Sequence, residues 1–144
     1  MSDKELIQTA SQIVSGYSAA DWNGLKNILT PDALYDEIGT QRKIKGPDSI
    51  VQALQGWKQA MSDSSGTVTS ACASGDTVTL EITWQGTHNG PFTGPTGTLP
   101  PPGKRQTTPA AMIVKFQGDK VREMRHYFDM LSFLQQIGAL ATQA

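Results

Sequence analysis

The chain has 144 residues, 38% of them hydrophobic and 17% charged, with a formal net charge of -1. A length of this order forms one domain that buries roughly 70% of its unfolded surface, enough for a single core with an internal cavity. The near-zero balance and scattered Lys and Arg exclude a basic nucleic-acid or membrane-surface footprint, and the lone Cys72 excludes a disulfide framework or a thiolate metal cluster.

Ser2 followed by Glu5 is a capping-box pattern, in which side chains satisfy the orphan amides of a first helical turn. Leu6, Ala10, Ile13 and Tyr17 then recur at helical spacing, with Ile7 and Val14 widening the stripe. The N-terminus carries Asp3, Lys4 and Glu5 and no long apolar run, so neither a signal peptide nor a membrane span is expected and a cytoplasmic location is. Asp21 caps a second helix through Trp22, Leu25 and Leu29, stopped by Thr30-Pro31. Ala33 to Ile38 alternates as a strand, and Pro47 opens a third helix with a stripe of Ile50, Leu54, Trp57 and Met61.

From Thr67 the period becomes two. Thr67–Ala73 pairs with Thr77–Thr87 across Gly75-Asp76, and Gln106–Gln117 pairs with Lys120–Phe128 across Gly118-Asp119. Val78, Leu80, Ile82 and Trp84 share an apolar face, while Thr79, Glu81, Thr83 and Gln85 share a polar one. Met130–Ile137 is a last short helix ending at Gly138. Helices followed by an antiparallel sheet predict an α+β fold of one domain over 1–144. Residues 1–65 carry the helices and first strand, 66–129 the sheet with a flap at 89–104, and 130–138 the final helix.

Three residues invite a chemical reading. Asp129 sits at the last strand-to-helix junction, where an N-cap is the commoner role and a general base the alternative. Asp36 alternates with Leu34 and Ile38 and is expected to face the core, where an unpaired carboxylate is costly; a bend that reaches water is the other possibility. His88 shares the apolar face of Trp84, either as a proton shuttle at a pocket mouth or bonded to a loop carbonyl. Strand alternation puts His126 opposite to Asp129, as a sheet or interface residue. Trp57, Trp84 and Tyr127 either line a flat pocket or fill the core. Residues 89–104, rich in Pro and Gly, read as a lid or as a stiff surface connection. No spacing indicates a metal site or a dinucleotide fold, so no cofactor is expected.

The order from Trp84 onward (W-Q-G-T-H-N-G-P-F, a loop ending P-P-P-G-K, then Y-F-D-M-L-S-F-L-Q-Q-I-G) resembles the SnoaL-like polyketide cyclases of the nuclear transport factor 2-like superfamily. The resemblance implies a cone-shaped barrel, a curved antiparallel or mixed sheet wrapped around N-terminal helices with an internal pocket. It implies Asp129 as general acid/base, with His88 assisting. Asp36, Tyr35, Trp57, Trp84, Arg125 and Tyr127 are then expected to bind an apolar or aromatic carbonyl substrate. Enolisation and intramolecular aldol closure is the expected reaction, with isomerisation its neighbour. An epoxide hydrolase-like use of Arg125, Asp129 and Asp36 is one rival; a non-catalytic binding or dimerisation module is the other. A homodimer or higher homo-oligomer through the Thr79/Glu81/Thr83 face is compatible with each.

Overall fold

Three helices lie across one face of a curved six-stranded sheet, and a fourth closes its end. The computed structural model describes residues 1–94, 97–99 and 103–139. In chain order they are α1 (Asp3–Ser18), α2 (Trp22–Asn27), β1 (Leu29–Glu37), a 3-10 turn (Ile38–Thr40), β2 (Arg42–Lys45), α3 (Pro47–Ala60), β3 (Ser65–Ser74), β4 (Thr77–Thr87), β5 (Phe92–Gly94), β6 (Gly97–Leu99), β7 (Arg105–Gln117), β8 (Lys120–Phe128) and α4 (Met130–Gln136). The α+β class is as expected.

Local chemistry sets the helix boundaries. Ser2 Oγ accepts from Glu5 N at 3.1 Å and donates to the Glu5 carboxylate at 3.1 Å, so the first turn of α1 is tied down. Asp21 accepts from Gly24 N at 3.1 Å to start α2, and Pro47 fits the first turn of α3, where its missing N–H costs nothing. Leu6, Ala10, Ile13, Val14 and Tyr17 are buried along α1, the stripe that the helical period predicts.

The sheet runs β2-β1-β8-β7-β4-β3. Every neighbour is antiparallel except β1 and β8, which are parallel and in register from Leu34↔Glu123 to Glu37↔His126. Strand β1 begins earlier than expected, and its ladder with β8 is irregular between Leu29 and Leu34. Pro31 lies inside that interval and has no N–H to offer a neighbouring strand.

Face assignment divides the strands. On β4 the prediction holds, with Val78, Leu80 and Ile82 buried. On β1 the inward set is Ala33, Tyr35 and Glu37, while Leu34 and Asp36 are only half-buried and Ile38 is exposed, the reverse of the expected face. On β8, Met124 and His126 are buried; the ladder with β7 slips by one residue beside Arg122, which brings Val121 inward as well. His126 is therefore an inward residue, not a sheet-face or interface one.

The main core joins Leu6, Ile13 and Val14 of α1 and Ile50 of α3 to the inner sheet residues. A smaller cluster of Ala60, Met61, Phe133 and Ile137 seals the end where α3 meets α4. Part of the predicted flap lies outside the described residues; within it, β5 and β6 pair as a two-stranded antiparallel ribbon. Its start is anchored where Asn89 N and Gly90 N both donate to Ala60 O at 3.0 Å.

Gly66 shows how closely α1 meets the sheet. A Cβ there would lie 2.6 Å from the Trp84 indole and 2.7 Å from Val14 Cγ1, both packed side chains. Gly66→Ala is expected to cost about 1–3 kcal/mol through overpacking, read as a fall of several degrees in Tm by circular dichroism.

Candidate active site

Between the two core clusters lies a cavity of about 70 Å³. One water centre needs roughly 10–15 Å³, so this is more than a packing defect. Tyr17 of α1, Tyr35 of β1, Trp57 of α3, Trp84 of β4 and His126 and Phe128 of β8 meet around it, with Met61, Met112, Met124 and Phe133 filling between them. None of its described lining residues carries a formal charge at neutral pH; its titratable groups are Tyr17, Tyr35 and His126.

The parallel pairing of β1 and β8 sets the chemistry. It places Glu37 opposite His126 and Tyr35 opposite Met124 on the inner side of the sheet. Trp84 Nε1 lies 3.0 Å from His126 Nε2, and the Tyr35 hydroxyl lies 2.8 Å from His126 Nδ1. An indole nitrogen only donates, so Nε2 must accept. The single proton of the neutral imidazole therefore sits on Nδ1 and is donated to Tyr35 Oη. Tyr35 keeps its own proton, which the negative charge of Glu37 holds on the phenol oxygen.

Glu37 has no exposed surface. Its Oε1 accepts from Arg42 Nη2 at 2.7 Å, Arg42 Nε at 2.9 Å and Thr40 Oγ1, and its Oε2 accepts from Trp57 Nε1 at 2.8 Å. The turn Ile38–Thr40 followed by Gln41 in the left-handed region (φ 60°) folds β2 back so that Arg42 reaches the carboxylate. Arg42 itself is 46% exposed, so this chain of donors runs from the cavity wall to solvent.

Burial pushes the His126 imidazole down to about 4, with the negative charge of Glu37 opposing that fall. Burial, then the charge of Glu37 and the hydrogen bond to it, hold Tyr35 well above the ordinary phenol range. Across the cavity Tyr17 Oη lies 2.6 Å from Ser64 Oγ, and burial raises Tyr17 to about 12 against the lowering effect of that bond. Thr108 Oγ1 donates to Gln106 Oε1 at 2.6 Å as a further buried polar pair on the wall.

The expected site residues separate into two groups. Tyr35, Trp57 and Trp84 line the cavity. Asp129 does not; it is exposed, and its Oδ1 accepts from Ser132 N at 3.0 Å as the N-cap of α4. Asp36 and Arg125 are register partners on the outer side of the sheet, and Tyr127 is 40% exposed on that side. His88 is buried outside the cavity lining, its backbone bonded to Lys104 and Gly103 at the foot of the flap. Burial lowers its pKa, and a ring hydrogen bond to the Gly90 backbone opposes the fall.

Glu37, His126, Tyr17 and Ser64 are not among the site residues expected from the sequence. The signal for the first was its neighbour: shifting the inward face of β1 by one residue exchanges Asp36 for Glu37, five positions before Arg42.

The sequence profile of the SnoaL-like polyketide cyclase family matches residues 7–137. No curated protein matches the chain. Among solved structures, a proposed SnoaL-like polyketide cyclase from Jannaschia sp. CCS1 superimposes with a TM-score of 0.85 at 18% identity, over 96% of this chain and 95% of that one. AclR, a proposed hydroxylase from Streptomyces galilaeus, gives 0.82 at 24% identity over 99% and 91%. An M. tuberculosis LEH-like epoxide hydrolase gives 0.72 at 16% identity over 94% and 90%. At these identities the likeness is one of fold.

Two stability measurements check the placements. Between pH 4 and 6.5 the unfolded chain binds a proton at His126 that the folded one refuses, so stability rises with pH over that window and falls on acidification through it. The slope amounts to on the order of 3 kcal/mol across the window, and urea melts of His126→Gln are expected to lack it. Asp129→Ala is expected to cost about 1 kcal/mol as a lost cap, visible in the same melts.

Proposed function

The chain belongs to the SnoaL-like polyketide cyclase family, and from that premise we propose a cofactor-independent acid/base enzyme for an uncharged aromatic or polyketide-like carbonyl compound. The observation that carries this reading is His126, a neutral imidazole on the wall of an apolar cavity, backed through Tyr35 by a buried carboxylate. A wall without formal charge favours a neutral, flat ligand, because an ionised group would lose its hydration with nothing to replace it. Trp57, Trp84 and Phe128 supply the ring surfaces.

The reaction begins when the substrate displaces the Trp84 N–H from His126 Nε2. That nitrogen takes the proton from the carbon next to a carbonyl, and the C–H electron pair becomes the enolate. Two hydroxyls form the Tyr17–Ser64 pair; one proton bridges them, and the other is left to donate to the enolate oxygen. The enolate carbon then attacks a second carbonyl of the same molecule, forming the ring bond, and the new alkoxide recovers the proton from His126. Holding both carbons together supplies most of the remaining advantage. Isomerisation is the same first step with the proton returned to another carbon.

Asp129, the base expected from the resemblance, is turned into the amides of α4, so the acid/base role passes to His126. Carboxylate-assisted opening of an epoxide is less well supported, since none of the described cavity-lining residues is a carboxylate.

Solvent-deuterium exchange at the α-carbon of 2-acetyl-1-tetralone and related fused-ring ketones, followed by NMR, tests the reading. His126→Gln is expected to slow exchange by roughly 10²- to 10⁴-fold, with Asp129→Ala changing it by less than about tenfold. The wild-type rate is expected to be flat near neutrality and to fall as pH drops through about 4, where Nε2 becomes protonated. Binding of these ketones by thermal shift without any exchange would leave a ligand-binding module instead.

A further inference from the structure

We propose that Glu37 is a positioning residue, acting through Tyr35 to keep His126 protonated on Nδ1 and to leave Nε2 as the cavity-facing base. The proposal rests on the acid/base reading of His126 for its catalytic consequence, but the positioning itself is a property of the resting protein. Four observations converge on it. Glu37 is fully buried, both of its oxygens accept hydrogen bonds, Arg42 matches its charge, and its register partner is His126.

The physical sequence is directional. Trp57 Nε1, Arg42 and Thr40 all donate to Glu37, so the carboxylate has no proton to return to Tyr35. The charge of Glu37 then keeps the proton of Tyr35 on its own oxygen, and that oxygen is left to accept from Nδ1. Reversal of the chain would put two protons between Nδ1 and Tyr35 or leave the buried carboxylate one donor short. When Nε2 takes a proton, the imidazolium faces Glu37 across one hydroxyl, and among the described residues no other carboxylate is hydrogen-bonded to His126 or Tyr35. A histidine oriented this way by an acceptor on its other nitrogen is a recurring device for making one nitrogen a directed base. The arrangement also uses a buried charge for specificity, where its contribution to stability alone is small or negative.

Trp84 also favours the same tautomer, because its N–H needs Nε2 as acceptor. The test therefore removes Trp84 first. In Trp84→Phe protein labelled with ¹⁵N-histidine, the His126 ring is expected to remain protonated on Nδ1 at pH 7, with His88 distinguished by the loss of one signal set in His126→Gln. Adding Glu37→Gln is expected to convert that ring to a mixture of tautomers or to the Nε2–H form. Adding Tyr35→Phe instead is expected to do the same, which keeps the test open if Glu37→Gln does not fold. A ring that stays on Nδ1 in a folded double variant overturns the proposal.

The second readout is ketone exchange in protein that retains Trp84. Tyr35→Phe and Glu37→Gln are each expected to lower the exchange rate by roughly 10²-fold or more, and the pair by no more than the worse single change, because both act along one chain. Fully additive losses overturn it too. Absence of exchange in the wild type would sink the enzyme reading while leaving the tautomer result to decide the role of Glu37.

Discussion

A carboxylate with no exposed surface constrains everything around it. Glu37 lies behind the wall of an apolar cavity, where donors must replace the water its carboxylate has lost. Arg42 brings a matching charge, Trp57 and Thr40 bring further donors, and Tyr35 brings a hydroxyl. These partners come from β1, β2, α3 and the turn between the two strands, so meeting the needs of one side chain ties the edge of the sheet to the helix above it. The charge of that side chain and the Trp84 N–H favour the same direction for the hydrogen bonds that lead inward to His126.

The rest of the cavity is built by exclusion. The main core and the Ala60–Ile137 cluster pack on either side of a space that the described side chains do not fill. Aromatic edges meet there at steep angles, Trp57 against Phe128 and Phe133 and Tyr17 against Trp84, which gives a wall of ring edges and faces. Polar atoms on that wall come in pairs that already satisfy each other: Tyr17 with Ser64, Thr108 with Gln106, His126 with Tyr35 and Trp84. A ligand entering such a site gains by apolar contact and by exchanging one of these bonds for its own.

The fold is the one that the family resemblance implies, while the aspartate it points to lies outside the cavity lining. The motif Y-F-D-M-L-S-F-L-Q-Q-I-G locates the junction of β8 and α4 correctly, yet the carboxylate at that junction serves the helix. Helix starts are chemically demanding: the first amides have no partners, and an Asp at the cap is a ready acceptor. The residue three positions earlier, His126, faces the cavity because strand alternation puts it on the inner side.

What the sequence by itself determined is whatever depends on near neighbours. Capping at Ser2 and Asp21, the stripe of α1, the first-turn proline of α3, the glycine-centred hairpin turns and the two faces of β4 all follow from interactions within a few residues or from an unambiguous apolar pattern. Strands β1 and β8 carry no such pattern, since polar and apolar residues occur on both of their faces. Their orientation was decided only by the parallel pairing between them, a contact spanning some ninety residues of chain, together with the irregularities near Pro31 and Arg122 that reset the register. A shift of one residue exchanges the two faces of a strand, and that is why Glu37 and His126 are inside while Asp36 and Arg125 are out.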